Sequence, residues 1–145
     1  MKKITLLVTC LIALQIGVFA GVDKTITVDQ LPEKARQFIK THFEGLDVSF
    51  AKMEQELLDK SYEVFFVNGN KIEFDKAGEW TEINCKFSEI PVQAIPKQIQ
   101  SYVIQNHQKF KVVEIEKDKR DYEVKLNNGL ELKFDSKFNF MYYDN

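Results

Sequence analysis

Few residues of this chain could carry chemistry, and their spacing argues against a reaction centre. The two histidines are His42 and His107. His42 falls on the apolar side of one expected helix and His107 near the end of another, so the pair lacks the spacing of a metal site. One reads as half-buried and the other as solvated. Glu54, Glu56 and Asp59 form an acidic cluster. Calcium would take such oxygens, but a solvated strand end accounts for them. Asp75 and Asp135 occupy corresponding places in two similar segments, which invites a paired-carboxylate reading. An Asp that heads a hairpin turn and accepts the turn's own N–H groups is the commoner use. There is no nucleophile-elbow serine, no Cys/His pair with an orienting acid and no glycine-rich phosphate loop. No catalytic residue, metal or cofactor is expected.

Composition narrows the class further. The 145 residues are 44% hydrophobic and 29% charged, with six Gly and three Pro, which excludes collagen, low-complexity disorder and a multi-span membrane protein. Twenty basic against 22 acidic residues give a net charge of -2 with no Lys/Arg run, so no nucleic-acid partner is expected. Residues 1–20, MKKITLLVTCLIALQIGVFA, read as an export signal. Lys2 and Lys3 precede a short apolar stretch, and Val18-Phe19-Ala20 supplies the small residues of a cleavage site. Thr9 is a poor residue before a lipidated Cys10. The mature chain then begins at Gly21, lies in the periplasm or outside the cell, and keeps no membrane span. Cleavage removes two Lys and no acid, leaving 18 basic against 22 acidic residues, or -4. It also removes Cys10, so Cys85 is the only thiol left and reads as a buried, inert one near a strand end.

The elements that would position any site come in two similar halves. YEVFFVNGNKIEFD (residues 62–75) matches YEVKLNNGLELKFD (122–135) at an offset of 60. Upstream, Leu31-Pro32 matches Ile95-Pro96 at an offset of 64, and Ala35, Phe38 and Ile39 match Ile99, Tyr102 and Val103. Two copies are too few for a solenoid, so one mature domain, residues 21–145, is expected to contain repeats near 26–85 and 87–145. Each opens with a helix. Leu31, Ala35, Phe38, Ile39 and His42 lie on one 3.6-period face, as do Ile95, Ile99, Tyr102, Val103 and Asn106. Gly45 is placed to stop the first helix, and no such stop follows the second.

Beyond each helix the period becomes two, predicting strands at 48–55, 61–66, 70–75, 79–84, 110–116, 121–126, 130–135 and 139–144. Asn68-Gly69 and Asn128-Gly129 suggest two-residue hairpin loops, but that register would set Val64 beside Glu73. A three-residue loop ending in a left-handed Gly pairs Tyr62 with Phe74, Val64 with Ile72, Tyr122 with Phe134 and Val124 with Leu132. The next turn, Lys76-Ala77-Gly78, suits the same geometry and sets Trp80 opposite Phe74. Its counterpart ends in Phe138, a poor left-handed residue, so either a different turn or a different place for Phe138 is expected there.

LPEKARQFIKTHF followed by YEVFFVNGNKIEFDKAGEWTEI resembles the PepSY-like proteins grouped with the beta-lactamase-inhibitor-protein fold. The shared pattern is a Leu-Pro helix start, a Tyr-x-Val strand, an Asn-Gly turn, a Phe-Asp pair, a Gly turn and an aromatic. The second half keeps Ile95-Pro96, Tyr122, Val124, Asn128-Gly129 and Phe134-Asp135, and departs at Phe138. The resemblance implies an α+β fold in which two tandem α-β-β-β-β units share one antiparallel sheet, with the helices packed on one face. It also implies exported bacterial proteins with an inhibitory or regulatory role and no catalytic residues to carry over.

The adopted register points the large apolar residues from Tyr62 to Phe140 at the helices. The opposite face is left with Phe50, Phe65, Val67, Ile83, Val112, Met141 and Tyr143 among Glu63, Lys71, Glu73, Lys125, Glu131 and Lys133. A bare sheet face should be polar, and apolar groups in a charged rim suggest a contact surface. The partner-binding set is therefore Phe50, Phe65, Ile83, Met141 and Tyr143, with Lys71 and Lys133 fixing register. The expected partner is a protein or peptide, and self-association would use the same residues. The other reading, a small-ligand carrier or sensor, needs a cavity between helix and sheet.

Overall fold

Residues 21–144 are described by the structure, a computed structural model; the export signal read over residues 1–20 lies outside the described residues. In chain order the elements are β1 (Val22–Ile26), α1 (Glu33–His42), β2 (Val48–Gln55), β3 (Lys60–Phe66), β4 (Lys71–Asp75) and β5 (Trp80–Asn84). The second half continues with α2 (Lys97–Asn106), β6 (Val112–Lys117), β7 (Asp121–Leu126), β8 (Glu131–Asp135) and β9 (Phe140–Asp144). All nine strands form one sheet in the order of the chain, each antiparallel to its neighbours. The fold is α+β. Strand β1 was not expected from the sequence. Its VDKTI is exposed at four of five positions, as an edge strand can be, so it lacks the alternation that marks a half-buried one.

Both helices lie on one side of the sheet. Each starts just after a proline, whose fixed φ suits a helix start and whose missing N–H would be unpaired there anyway. α1 buries Ala35 and Ile39 and sets Phe38 edge-on to Phe74; α2 buries Ile99 and Val103 and sets Tyr102 edge-on to Phe134. Gly45 follows α1 at φ +83°. α2 ends without glycine: the His107 N–H donates to the Val103 carbonyl at 2.7 Å, pairing one that the helix end would leave free, and the Asn106 side chain adds a bond to the Tyr102 carbonyl at 2.9 Å.

The Asn-Gly hairpins have the three-residue geometry. Gly69 and Gly129 take φ +90° and +88°, and Tyr62–Phe74, Val64–Ile72, Tyr122–Phe134 and Val124–Leu132 are the observed pairs. Both turns after the Phe-Asp pairs also share one geometry, contrary to the expectation for the second. Gly78 and Phe138 donate their N–H groups to Asp75 and Asp135, and Phe138 adopts φ +66°. A left-handed Phe costs about 1–2 kcal/mol. Its ring lies 5.0 Å from that of Tyr122, a contact that offsets part of the strain.

Candidate functional site

Pairing across the sheet builds two contrasting rows, one per face. Toward the helices runs Ile26, Ala51, Val64, Ile72, Ile83, Ile115, Val124, Leu132 and Tyr143, one residue from each strand. From Val64 to Leu132 every member is fully buried. On the other face runs Thr25, Lys52, Glu63, Glu73, Glu82, Glu116, Glu123, Lys133 and Tyr142. Five glutamates on five consecutive strands thus cross the middle of a face that neither helix covers.

Three expected members of that face are elsewhere. Pairing shifts between Glu73 and Phe74, between Lys133 and Phe134, and between Val112 and Glu114 each insert one extra residue. A bulge of this kind reverses the facing of everything beyond it relative to strict alternation. Ile83 therefore aligns with Ile72 and is fully buried, and Val112 aligns with Leu126 in the core. Tyr143 aligns with Leu132 on the helix side, where its hydroxyl lies 3.3 Å from Tyr102 Oη and 3.3 Å from His107 Nε2. Met141 is the extra residue of β9, 43% exposed beside Tyr142. Phe50 and Phe65 pair directly, with rings stacked 4.5 Å apart at 16°, and Lys71 pairs with Phe65 on the next strand. These three form one end of the face, while Lys133 stands in the glutamate row, on β8 next to Glu123.

Expected as a rim, the glutamates form the centre of the face. A signal was present in Glu63, Glu73, Glu123, Lys125, Glu131 and Lys133 alternating with apolar residues. The unrecognised bulge of β5 kept Glu82 out of line with them, and that of β6 set Val112 in the core rather than beside Glu114 and Glu116.

Lysines neutralise the ends of the row. Lys52 Nζ lies 2.6 Å from Glu63 Oε2, and Lys71 Nζ is 2.6 Å from Glu73 Oε1 and 3.3 Å from Glu82 Oε2. Lys133 pairs with Glu123, and Lys125 with Glu131 at 2.5 Å. Among the described residues, Glu114 and Glu116 make no ion pair. Burial first, then the Glu82 charge, raises the carboxyl pKa of both above the ordinary range. Glu73 is raised by burial too, partly opposed by Lys71. Burial also works against ionised Glu63, but the hydrogen bond and charge of Lys52 prevail and hold it below the usual range.

The other candidates have local partners. Asp75 Oδ1 accepts the N–H groups of Ala77 (2.9 Å) and Glu79 (3.0 Å), and Asp135 Oδ1 those of Lys137 (2.8 Å) and Asn139 (2.9 Å). His42 packs on Phe38 at the end of α1. Cys85 is fully buried, and burial pushes its thiol up to about 11. A cavity of about 140 Å³ lies between α2 and the start of β6, lined by Ile95, Val103, Ile104, His107, Phe110 and Val112 among others. Among the described residues no three His, Cys, Asp or Glu side chains converge as a metal site, and no helix is long and apolar enough to cross a membrane.

Residues 60–142 match the model of a family described as "putative beta-lactamase-inhibitor-like, PepSY-like". No curated protein matches the chain. Among solved structures, a "putative periplasmic protein" from Bacteroides vulgatus is 55% identical, with 85% of this chain and 97% of that one covered and a TM-score of 0.82. A Bacteroides thetaiotaomicron protein described as a "putative calcium-regulated periplasmic protein" is 57% identical over the same shares, also at 0.82. A second B. vulgatus periplasmic protein of unknown function is 36% identical, covering 87% and 100%, at 0.79. The chain is likewise an exported protein, periplasmic or secreted.

Proposed function

Because this chain belongs to the PepSY-like family, we propose that it is a non-catalytic binding protein that holds a protein or peptide on its uncovered sheet face. Inhibition or regulation of that partner would follow from occupying it. One observation carries the reading: a nine-stranded sheet packs both helices on one side and leaves on the other a stacked Phe50–Phe65 pair beside a row of glutamates. Exposed aromatics bordered by charge are the composition of contact surfaces. We also read the two halves as copies of one unit. In support, α1 and α2 are 64 residues apart, as are the bulges of β2 and β6, while those of β5 and β9 are 60 apart.

The test is capture from periplasmic extract with wild-type bait and with Phe50→Ala/Phe65→Ala bait, run with calcium and with chelator because one relative is described as calcium-regulated. A partner retained by wild type and lost by the folded variant is the expected result. Equal capture by both baits would remove the face from the function. A second reading, carriage of a small apolar ligand, is favoured by the cavity beside α2. At about 140 Å³ it resembles in size engineered cavities of about 150 Å³ that admit benzene. Native mass spectrometry of the purified protein decides it: a retained small molecule supports carriage, and a bare mass counts against it.

A further inference from the structure

The face has an electrostatic direction that its apolar pair does not explain. Its two central cross-strand rows carry Glu63, Glu73, Glu82, Glu114, Glu116, Glu123 and Glu131, seven acids, against Lys52, Lys71, Lys125 and Lys133, four bases. The imbalance is not spread evenly. Glu82, Glu114 and Glu116 meet where β5 pairs with β6; Lys71 on Glu82 is the one ion pair they make among the described residues, and Lys125, opposite Glu114 on β7, is bonded to Glu131 instead. Strands are about 4.8 Å apart, so the five-glutamate row is about 19 Å long. Mutual repulsion across such a row is relieved by a cation brought from outside.

We propose that the partner is a cationic polypeptide segment with an apolar anchor, its Lys or Arg side chains over Glu82, Glu114 and Glu116 and its anchor against Phe50 and Phe65. This rests on the face being the binding surface, and it adds the partner's chemistry. Charge complementarity selects it: an acidic segment would add to the repulsion, and a purely apolar one would bury Glu114 and Glu116 without counter-charges.

Three synthetic peptides of about 12 residues, long enough to span the row, serve as probes: Lys alternating with Phe, Ser with Phe and Glu with Phe. Binding to the purified protein is followed by fluorescence anisotropy at low and physiological salt. The Lys/Phe peptide is expected to bind, weakening as salt rises. Glu82→Gln/Glu114→Gln/Glu116→Gln should weaken it about tenfold. Asp29→Asn/Glu33→Gln/Glu44→Gln, which removes equal charge at exposed positions in and around α1, should change it less than about twofold. If the Ser/Phe peptide binds as tightly and is lost on Phe50→Ala/Phe65→Ala, the face stands and the cationic partner is overturned. If both triple variants weaken the Lys/Phe peptide equally and the Phe variant leaves it unchanged, the face fails as well. Absence of binding by all three peptides overturns the cationic assignment.

Discussion

Gly78 sits where backbone conformation and packing make the same demand. Its φ is +83°, and a methyl group there would lie 2.8 Å from Pro32 Cβ and 3.0 Å from the Ala35 nitrogen, at the start of α1. Gly129 has a similar φ of +88°, but a methyl there meets nothing within 4 Å. Gly129→Ala should therefore cost only the left-handed penalty, about 1 kcal/mol, whereas Gly78→Ala should cost about 2 kcal/mol or more. Urea unfolding of the two variants checks the difference, and equal losses would mean that α1 does not lean on the turn. Cys85 makes a second prediction at this scale. Fully buried and with its thiol pushed up to about 11, it should resist a thiol-specific reagent until denaturant exposes it. The Gly78 conformation was legible from its place after Phe74-Asp75; the pressure of Pro32 on it was not, because that contact joins segments far apart in the chain.

At the scale of strands, alternation decided what could be read and bulges decided what could not. The Asn-Gly registers follow from matching apolar faces on either side of a short turn, information held within about 14 residues of sequence. The extra residues at β5, β6 and β9 leave no comparable mark, and they reversed the facing of Ile83, Val112 and Tyr143. Ile83→Ala should consequently lower stability by about 3 kcal/mol, the cost of a cavity in a filled core. Phe65→Ala, on the uncovered face, should cost about 1 kcal/mol or less, mainly the lost stack on Phe50. Paired denaturation curves test this, and a larger loss at Phe65 would restore the original facing. Four of the seven expected contact residues, Phe50, Phe65, Lys71 and Lys133, keep their expected face, while the alignment of the glutamates depends on pairing between strands far apart in sequence.

For the whole molecule, charge on one face makes stability depend on pH in two stages. Glu73, Glu114 and Glu116 have folded-state pKa values raised above the unfolded ones, so the folded chain holds their protons more tightly and stability rises as pH falls from neutrality through those values. Glu63 and Asp135 are lowered, Asp135 mainly by hydrogen bonds from Asn139, and contribute stability that is present above their unfolded pKa values. That contribution is lost as pH falls further through their folded ones. A maximum on the acid side of neutrality is expected in thermal unfolding, and Glu73→Gln/Glu114→Gln/Glu116→Gln should flatten the rise leading to it. A monotonic fall from pH 7 in the wild type would contradict the assignment.

The strand order carries its own consequence for how the chain acquires its shape. Each strand bonds only to the ones before and after it, and the longest interval between partners, from Asn84 to Val112, is bridged by a helix. A polypeptide threaded through a translocation channel could zip up progressively from its leading end, no segment waiting on one still to emerge. Such short-range wiring favours rapid self-assembly for a β-rich architecture.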